Sequence, residues 1–356
     1  MKLLIISGRT DSHAHVVSHA LKCKGHQVDI LALDNFASFD TVNIEMMSNQ
    51  VNAFLTVDGI TNSLNTVDVV WSRQWPAPIT LNNVSLKDRD FARKEIRTTL
   101  KGIYHLLDHA RWINPFLATI IASNKIHQLK CAAAVGLTIP NTLISNSAQQ
   151  IRAFLAKESD CIYKPLNPYI WHEEKKEKAT FTAVVTENDL PADDLLRSSP
   201  GIYQRRVERV YEVRAQFFGR TSVAIRIDVA DENCVDWRLT QNGIKECDPI
   251  DIPVVVQERC CALMKELGII SGGFDFIVQP DGQWVFLEVN QSSQFLFLED
   301  WCQQLPILDM FCKFVENPVA EFTYIPTINP VRYIDTARSF LQIDAQSSVR
   351  SSEGCA

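Results

Sequence analysis

The residues best suited to chemistry lie in one stretch, GGFDFIVQPDGQWVFLEVNQ at 272–291. Two apolar runs, Phe274–Val278 and Trp284–Val289, flank Asp281-Gly282, and Asp-Gly between β-rich runs is a strong hairpin signal. With a two- or four-residue loop centred on that pair, Asp275 lies directly opposite Glu288. Side chains alternate between faces, so Asn290 shares the face of Glu288. Opposed carboxylates repel, and removing them from water costs roughly several kcal/mol each unless a cation compensates. Mg2+ takes one or two carboxylates, an amide oxygen and phosphate oxygens. Asp275, Glu288 and Asn290 therefore read as a platform for Mg2+ and a nucleotide. An edge hairpin with its acids in water fits these residues equally well. A three-residue loop would put the two carboxylates on opposite faces.

Cationic residues elsewhere could complete such a site. Lys164, in Tyr163-Lys164-Pro165, ends an apolar run, where a phosphate would supply the anion a buried lysine needs; a lysine snorkelling from a strand end is the plainer alternative. Lys125 sits on a helix, where a solvated face is the plain reading. The strand end Gln204-Arg205-Arg206-Val207 could present backbone groups to a planar base. Glu212, Arg214 and Gln216 alternate with apolar residues and share one strand face. Arg214 and Arg238, on expected strands, could neutralise charge on a phosphoryl group in transit; a solvated sheet face with Arg214 paired to an acid is the alternative. His13 and His15 lie at a helix start and read as structural or surface residues. No GxSxG, HExxH or GxxxxGK[ST] motif occurs, which disfavours nucleophile-elbow hydrolases, zincins and P-loop enzymes.

Three blocks must position these residues. Residues 1–115 alternate strands (Leu3–Ser7, Val28–Leu33, Ala53–Val57, Val67–Trp71) with helices (Ser12–Cys23, Asp88–His109), which predicts an α/β unit with a mainly parallel sheet. Residues 116–203 predict one helix over Ala118–Val135, a strand at Ile139–Ile144, a helix over Ser147–Lys157 and a strand at Cys161–Leu166. The stretch from Asn167 to Lys178 reads as a mobile surface loop. Residues 204–320 predict an antiparallel sheet domain, with strands at Glu212–Phe218, Ser222–Ile227 and Val235–Leu239, a helix over Val254–Leu267, the hairpin and a closing helix at Ile307–Phe314. Residues 321–356 read as a tail with a disordered end. The fold class is α/β (α+β).

The totals exclude several classes. The chain has 356 residues and a formal net charge of −7, which argues against a general nucleic-acid or membrane-surface binder. Its apolar runs fall short of a membrane span. Its ten cysteines show neither CxxC pairs nor a regular framework. The cytoplasm is the expected location.

Taken in order, these residues resemble the ATP-grasp superfamily. The series runs Asn124-Lys125, Ala134 to Thr142, Tyr163-Lys164-Pro165, Tyr203-Gln204-Arg205, Glu212-Val213-Arg214, Asp236-Trp237-Arg238, Asp275, and Phe286-Leu287-Glu288-Val289-Asn290. Within it the chain resembles the microviridin-type macrocyclases (graspetide synthetases), through Val70-Trp71-Ser72-Arg73, Trp112-Ile113-Asn114-Pro115 and Pro140 to Asn146. The resemblance implies an ATP-grasp fold with an N-terminal pre-domain, a central domain and a C-terminal antiparallel sheet. It implies ATP held by Lys125, Lys164, Gln204, Arg205, Val207 and Glu212, with Mg2+ on Asp275, Glu288 and Asn290. It implies catalysis by Arg214 and Arg238, with Asp228 orienting the nucleophile, on a precursor peptide with leader and core. The residues between 167 and 178 lack the glycines of many ATP-grasp phosphate loops, and Val229-Ala230 follows Asp228 where the macrocyclases often carry Ser-Gln.

The implied activity is an ATP-dependent ligase forming side-chain esters or amides through an acyl phosphate. An intermolecular amino-acid ligase and a non-catalytic nucleotide- or peptide-binding protein are the alternatives. Nucleic-acid and membrane partners are not expected, and a homodimer is left open.

Overall fold

A computed structural model describes residues 1–33, 40–57, 59–73, 79, 81, 83–167, 169–173, 176–180, 182–229, 235 and 244–339. The chain begins with β1 (Lys2–Ser7), α1 (Ser12–Cys23) and β2 (Gln27–Ala32). Then come β3 (Thr41–Met47), β4 (Gln50–Val57), β5 (Ile60–Ser63), β6 (Val69–Ser72), α2 (Arg89–Leu106) and β7 (Arg111–Ile113). A parallel sheet of order β2-β1-β6-β7 forms the base, as expected. β1 is apolar on both faces because both are covered: Leu3 and Ile5 pack with α1, and Leu4 and Ile6 pack toward α2 and β4. The antiparallel sheet β3-β4-β5 was not expected beyond part of β4. β3 is largely exposed, although Val42, Ile44 and Met46 alternate with polar residues along it.

The second block holds α3 (Phe116–Ala122), α4 (Lys125–Ala134), β8 (Thr142–Ser145), α5 (Ala148–Glu158) and β9 (Cys161–Lys164). The single helix expected over 118–135 is two. Asn124 leaves the helical conformation and its side chain accepts from His127 N, capping α4. The expected loop also needs correction: β10 (Ile170–Glu173) and β11 (Lys176–Ala179) pair antiparallel. β12 (Ala183–Val185), α6 (Asp193–Ser198) and β13 (Gly201–Arg205) follow. The sheet β12-β9-β13-β8 packs one face on α5 through Cys161 and Tyr203.

The third block contains β14 (Tyr211–Phe218), β15 (Thr221–Val229), β16 (Ile244–Pro249), α7 (Val254–Leu267), β17 (Ser271–Val278), β18 (Trp284–Asn290), α8 (Leu296–Trp301) and α9 (Ile307–Glu316). The strands form an antiparallel sheet of order β16-β15-β14-β17-β18. Of the expected strand Val235–Leu239 only residue 235 is described, and 340–356 also lie outside the described residues. Val213, Ala215, Phe274, Phe276 and Phe286 turn one face of the sheet onto α4 and α7. On the other face Phe218, Ile225 and Ile227 join the core of α1, α8, α9 and Trp71.

The β17–β18 register is not the simple one. Near the turn Val278 faces Trp284 and Phe276 faces Phe286, which is an odd-loop register. It would separate the two carboxylates. A bulge then shifts the ladder between Asp275 and Phe276, and Asp275 pairs with Glu288 after all. Leu287 is the extra residue, so Leu287 and Glu288 both escape the buried face that holds Phe286 and Val289.

Two buried polar groups join the blocks. Asn114, 1% exposed, donates to Ser271 O (2.7 Å) and Gln291 O (2.8 Å) and accepts from Ile270 N and Ser271 N. It pins the start of β17 beside the turn that leaves β18. In the pre-domain, Asp11 caps α1 through His13 N and accepts from Ser7 Oγ. The His13 ring lies edge-on to Phe295 at 4.4 Å. Burial, and secondly the charge of Arg73, pushes its pKa down to about 3.

Two predictions follow from these groups. A histidine held neutral in the fold protonates more readily when unfolded, so stability is full above the ordinary histidine pKa and falls as pH drops below it. His13 alone should remove about 2 kcal/mol between pH 7 and pH 5, and His13→Leu should flatten that part of a stability–pH curve from urea unfolding. Asn114→Ala strands the donors and acceptors of Ile270, Ser271 and Gln291, and should lower unfolding free energy by about 3 kcal/mol in the same assay.

Candidate active site

Three adjacent strands lay a charged row across the sheet: Arg214 on β14 pairs with Asp275 on β17, which pairs with Glu288 on β18. Arg214 Nη1 donates to both Asp275 oxygens at 2.8 Å. Asn290 Nδ2 donates to Asp275 Oδ2 at 3.1 Å. Lys125, at the first turn of α4, reaches Glu288 Oε2 at 3.2 Å. One turn on, Gln128 exchanges hydrogen bonds with Val289 N and O, fixing α4 against β18. Arg214 can lie over β17 because Gly273 has no side chain: a Cβ there would stand 2.7 Å from Arg214 Nη2.

The turn 291–294 closes one side of this row. Gln294 O accepts from Arg214 Nη2 (3.5 Å), and Ser293 Oγ donates to Gln216 Oε1 (2.5 Å). Arg73 Nη1 donates to Ser292 O at 2.6 Å. The motifs around Arg73 and Asn114 thus both end on this turn, which no local sequence pattern predicts.

Beside the row, a cleft of about 900 Å3 opens between the β12-β9-β13-β8 sheet and the β16-β15-β14-β17-β18 sheet. Lys164, Gln204, Arg205 and Val207 line it, facing Ile277 and Leu287 from the large sheet. Ile277 and Leu287 neighbour Asp275 and Glu288 in their strands, so cleft and charged row adjoin. Glu212 pairs with Ile277 across the ladder and accepts from Arg209 at 2.6 Å. Gln204 is fully buried; its Nε2 donates to Thr142 Oγ1, and its Oε1 has no hydrogen-bond partner.

The residue set fits a nucleotide with a hard cation. Two carboxylates and an amide offer oxygen donors, and the cleft wall carries a lysine and strand-end backbone suited to a base edge.

Asp228 needs correction. It pairs across the ladder next to Ile227, which faces the core shared with the pre-domain, so Asp228 points to the opposite face from Arg214. There it binds Arg226 through two hydrogen bonds of 2.7 and 2.8 Å, and Arg226 lies over the Tyr211 ring. Arg238 lies outside the described residues.

Residues 2–119 match the family described as the MvdD pre-ATP grasp domain. No curated protein sequence matches the chain. Among solved structures, macrocyclase MdnC from Microcystis aeruginosa MRC, bound with precursor peptide MdnA, aligns with a TM-score of 0.80 at 24% identity over 90% of this chain and 100% of MdnC. A Chryseobacterium gregarium RiPP-associated ATP-grasp ligase, in complex with ADP and a leader and core peptide, aligns at 0.79 and 24% over 91% and 99% of the two chains. ATP-grasp ligase PsnB, complexed with minimal precursor, Mg and ADP, aligns at 0.69 and 21% over 88% and 96%. No described helix is long and apolar enough to cross a membrane. The chain has the fold of these ATP-grasp proteins, and its residues 2–119 are similar to the MvdD pre-ATP grasp domain.

Proposed function

We propose that this chain is an ATP- and Mg2+-dependent ligase that joins side chains within a ribosomally made precursor peptide. The observation that carries the reading is the cross-strand row Arg214–Asp275–Glu288, set beside a cleft lined by Lys164 and the 204–207 strand end. The solved neighbours bound to precursor peptides and ADP support the choice of substrate.

In this reading Gln204, Arg205 and Val207 receive the adenine, Glu212 lies along the nucleotide, and Lys164 and Lys125 meet phosphate. Asp275, Glu288 and Asn290 hold Mg2+, which neutralises charge on phosphate oxygens when bound. Arg214 stabilises the phosphoryl group in transit. A peptide carboxylate oxygen attacks the γ-phosphorus and ADP leaves, giving an acyl phosphate. A hydroxyl or amine of the same peptide then attacks the acyl carbon; it loses its proton and inorganic phosphate departs. No protein nucleophile is consumed, in keeping with the absence of a nucleophile motif.

The test is mass spectrometry of a precursor peptide encoded beside the gene, after incubation with the chain, ATP and Mg2+. Each internal bond should remove one water, about 18 Da, and Glu288→Gln should abolish the loss. A gain equal to one amino-acid residue would replace this reading with an intermolecular ligase, and an unchanged mass with nucleotide bound would favour a binding protein. Gly273→Ala should push Arg214 off Asp275 and crowd Ser293, slowing turnover by about tenfold or more and lowering the melting temperature.

A further inference from the structure

Arg73 follows β6 and is 5% exposed. Its backbone N donates to Ile6 O, and its Nε stands 3.5 Å from Asp11 Oδ2, which also accepts from Ser7 Oγ. Its base is therefore fixed inside the pre-domain. Its far end leaves that domain and donates to Ser292 O, two residues beyond Asn290. A guanidinium can face a carboxylate with one edge and reach a carbonyl with another; an ammonium is a single point.

The turn that Arg73 grips touches the charged row twice from within. Gln294 O receives Arg214, and Ser293 binds Gln216, the β14 neighbour of Arg214 on the same face. Asn290 enters the turn directly from β18. Releasing Ser292 would loosen the turn whose Gln294 carbonyl lies 3.5 Å from Arg214 Nη2, and with it the strand end that aims Asn290 at Asp275.

We propose that Arg73 is a positioning residue for the Mg2+-dependent end of the site: it acts through the 291–294 turn on Asn290 and Arg214, without touching nucleotide or peptide. The inference rests on the ligase reading above. A residue that merely braces the fold would affect all binding alike, whereas Arg73 should act only where Mg2+ is engaged.

The experiment is calorimetric titration of ATP into the full chain, in Mg2+ and in EDTA. Wild type should bind more tightly in Mg2+. Arg73→Lys should leave affinity in EDTA within about twofold of wild type, because Arg73 does not line the cleft, while the Mg2+-dependent gain falls about tenfold. Ser293→Ala loosens the same turn without touching the pre-domain and should lose part of the same gain. The double variant should lose less than the product of the two single losses, as expected for residues acting through one element. If Arg73→Lys keeps the full gain, or loses affinity equally in both buffers, the positioning role is overturned; should that variant not fold, Ser293→Ala with an intact gain overturns it. Wild type that binds no ATP in either buffer overturns the ligase reading and this inference with it.

Discussion

Two carboxylates facing each other across a ladder are the constraint on which the rest of the structure depends. Like charges at about 4 Å cost roughly 4 kcal/mol even at an effective dielectric of 20. Asp275 and Glu288 are tolerated because a cation reaches each from a different direction: Arg214 from the next strand and Lys125 from a helix packed on the sheet edge. Each cation has its own supports. Gly273 leaves room for Arg214, and Gln128 docks the helix that carries Lys125. The acidic pair thus dictates residues on β14, β17, β18 and α4, and removing either cation would leave a half-buried carboxylate facing a like charge.

The hairpin was legible because alternation and Asp-Gly are local signals. The pairing of Asp275 with Glu288 followed from an assumed even loop, and the structure reaches the same pairing by another route, an odd loop offset by a bulge at Leu287. A bulge has no signature in residue type here, since Leu287 continues an apolar run. Helices α1 and α7 have the expected bounds because apolar spacing, Asp11 at the start of one and Gly268 at the end of the other mark them. The break between α3 and α4 was hidden because Ser123-Asn124 sits inside a run that stays helical in pattern on both sides.

The illegible part of the site is made of long side chains ending on backbone carbonyls. Asn114 meets residues more than 150 positions away, Gln128 meets β18, and Arg73 meets the 291–294 turn. A carbonyl belongs to every residue, so no partner type exists to be searched for in the sequence. Asp228 failed in the opposite sense. Its type suited the chemistry, but one step of strand alternation beyond Ile227 puts it on the other face.

These contacts bear on how the chain is divided. The residues before 115 form their own sheet, yet Phe295 packs between His13, Trp71 and Phe311, so one apolar cluster runs from α1 through the turn after β18 into α9. The turn itself is held by Arg73 on one side and Asn114 on the other. A pre-domain cut away at its boundary would take with it two of the groups that shape the Asn290 end of the site. The pre-domain thus braces the turn at the Asn290 end of the site, and none of its described residues lines the cleft.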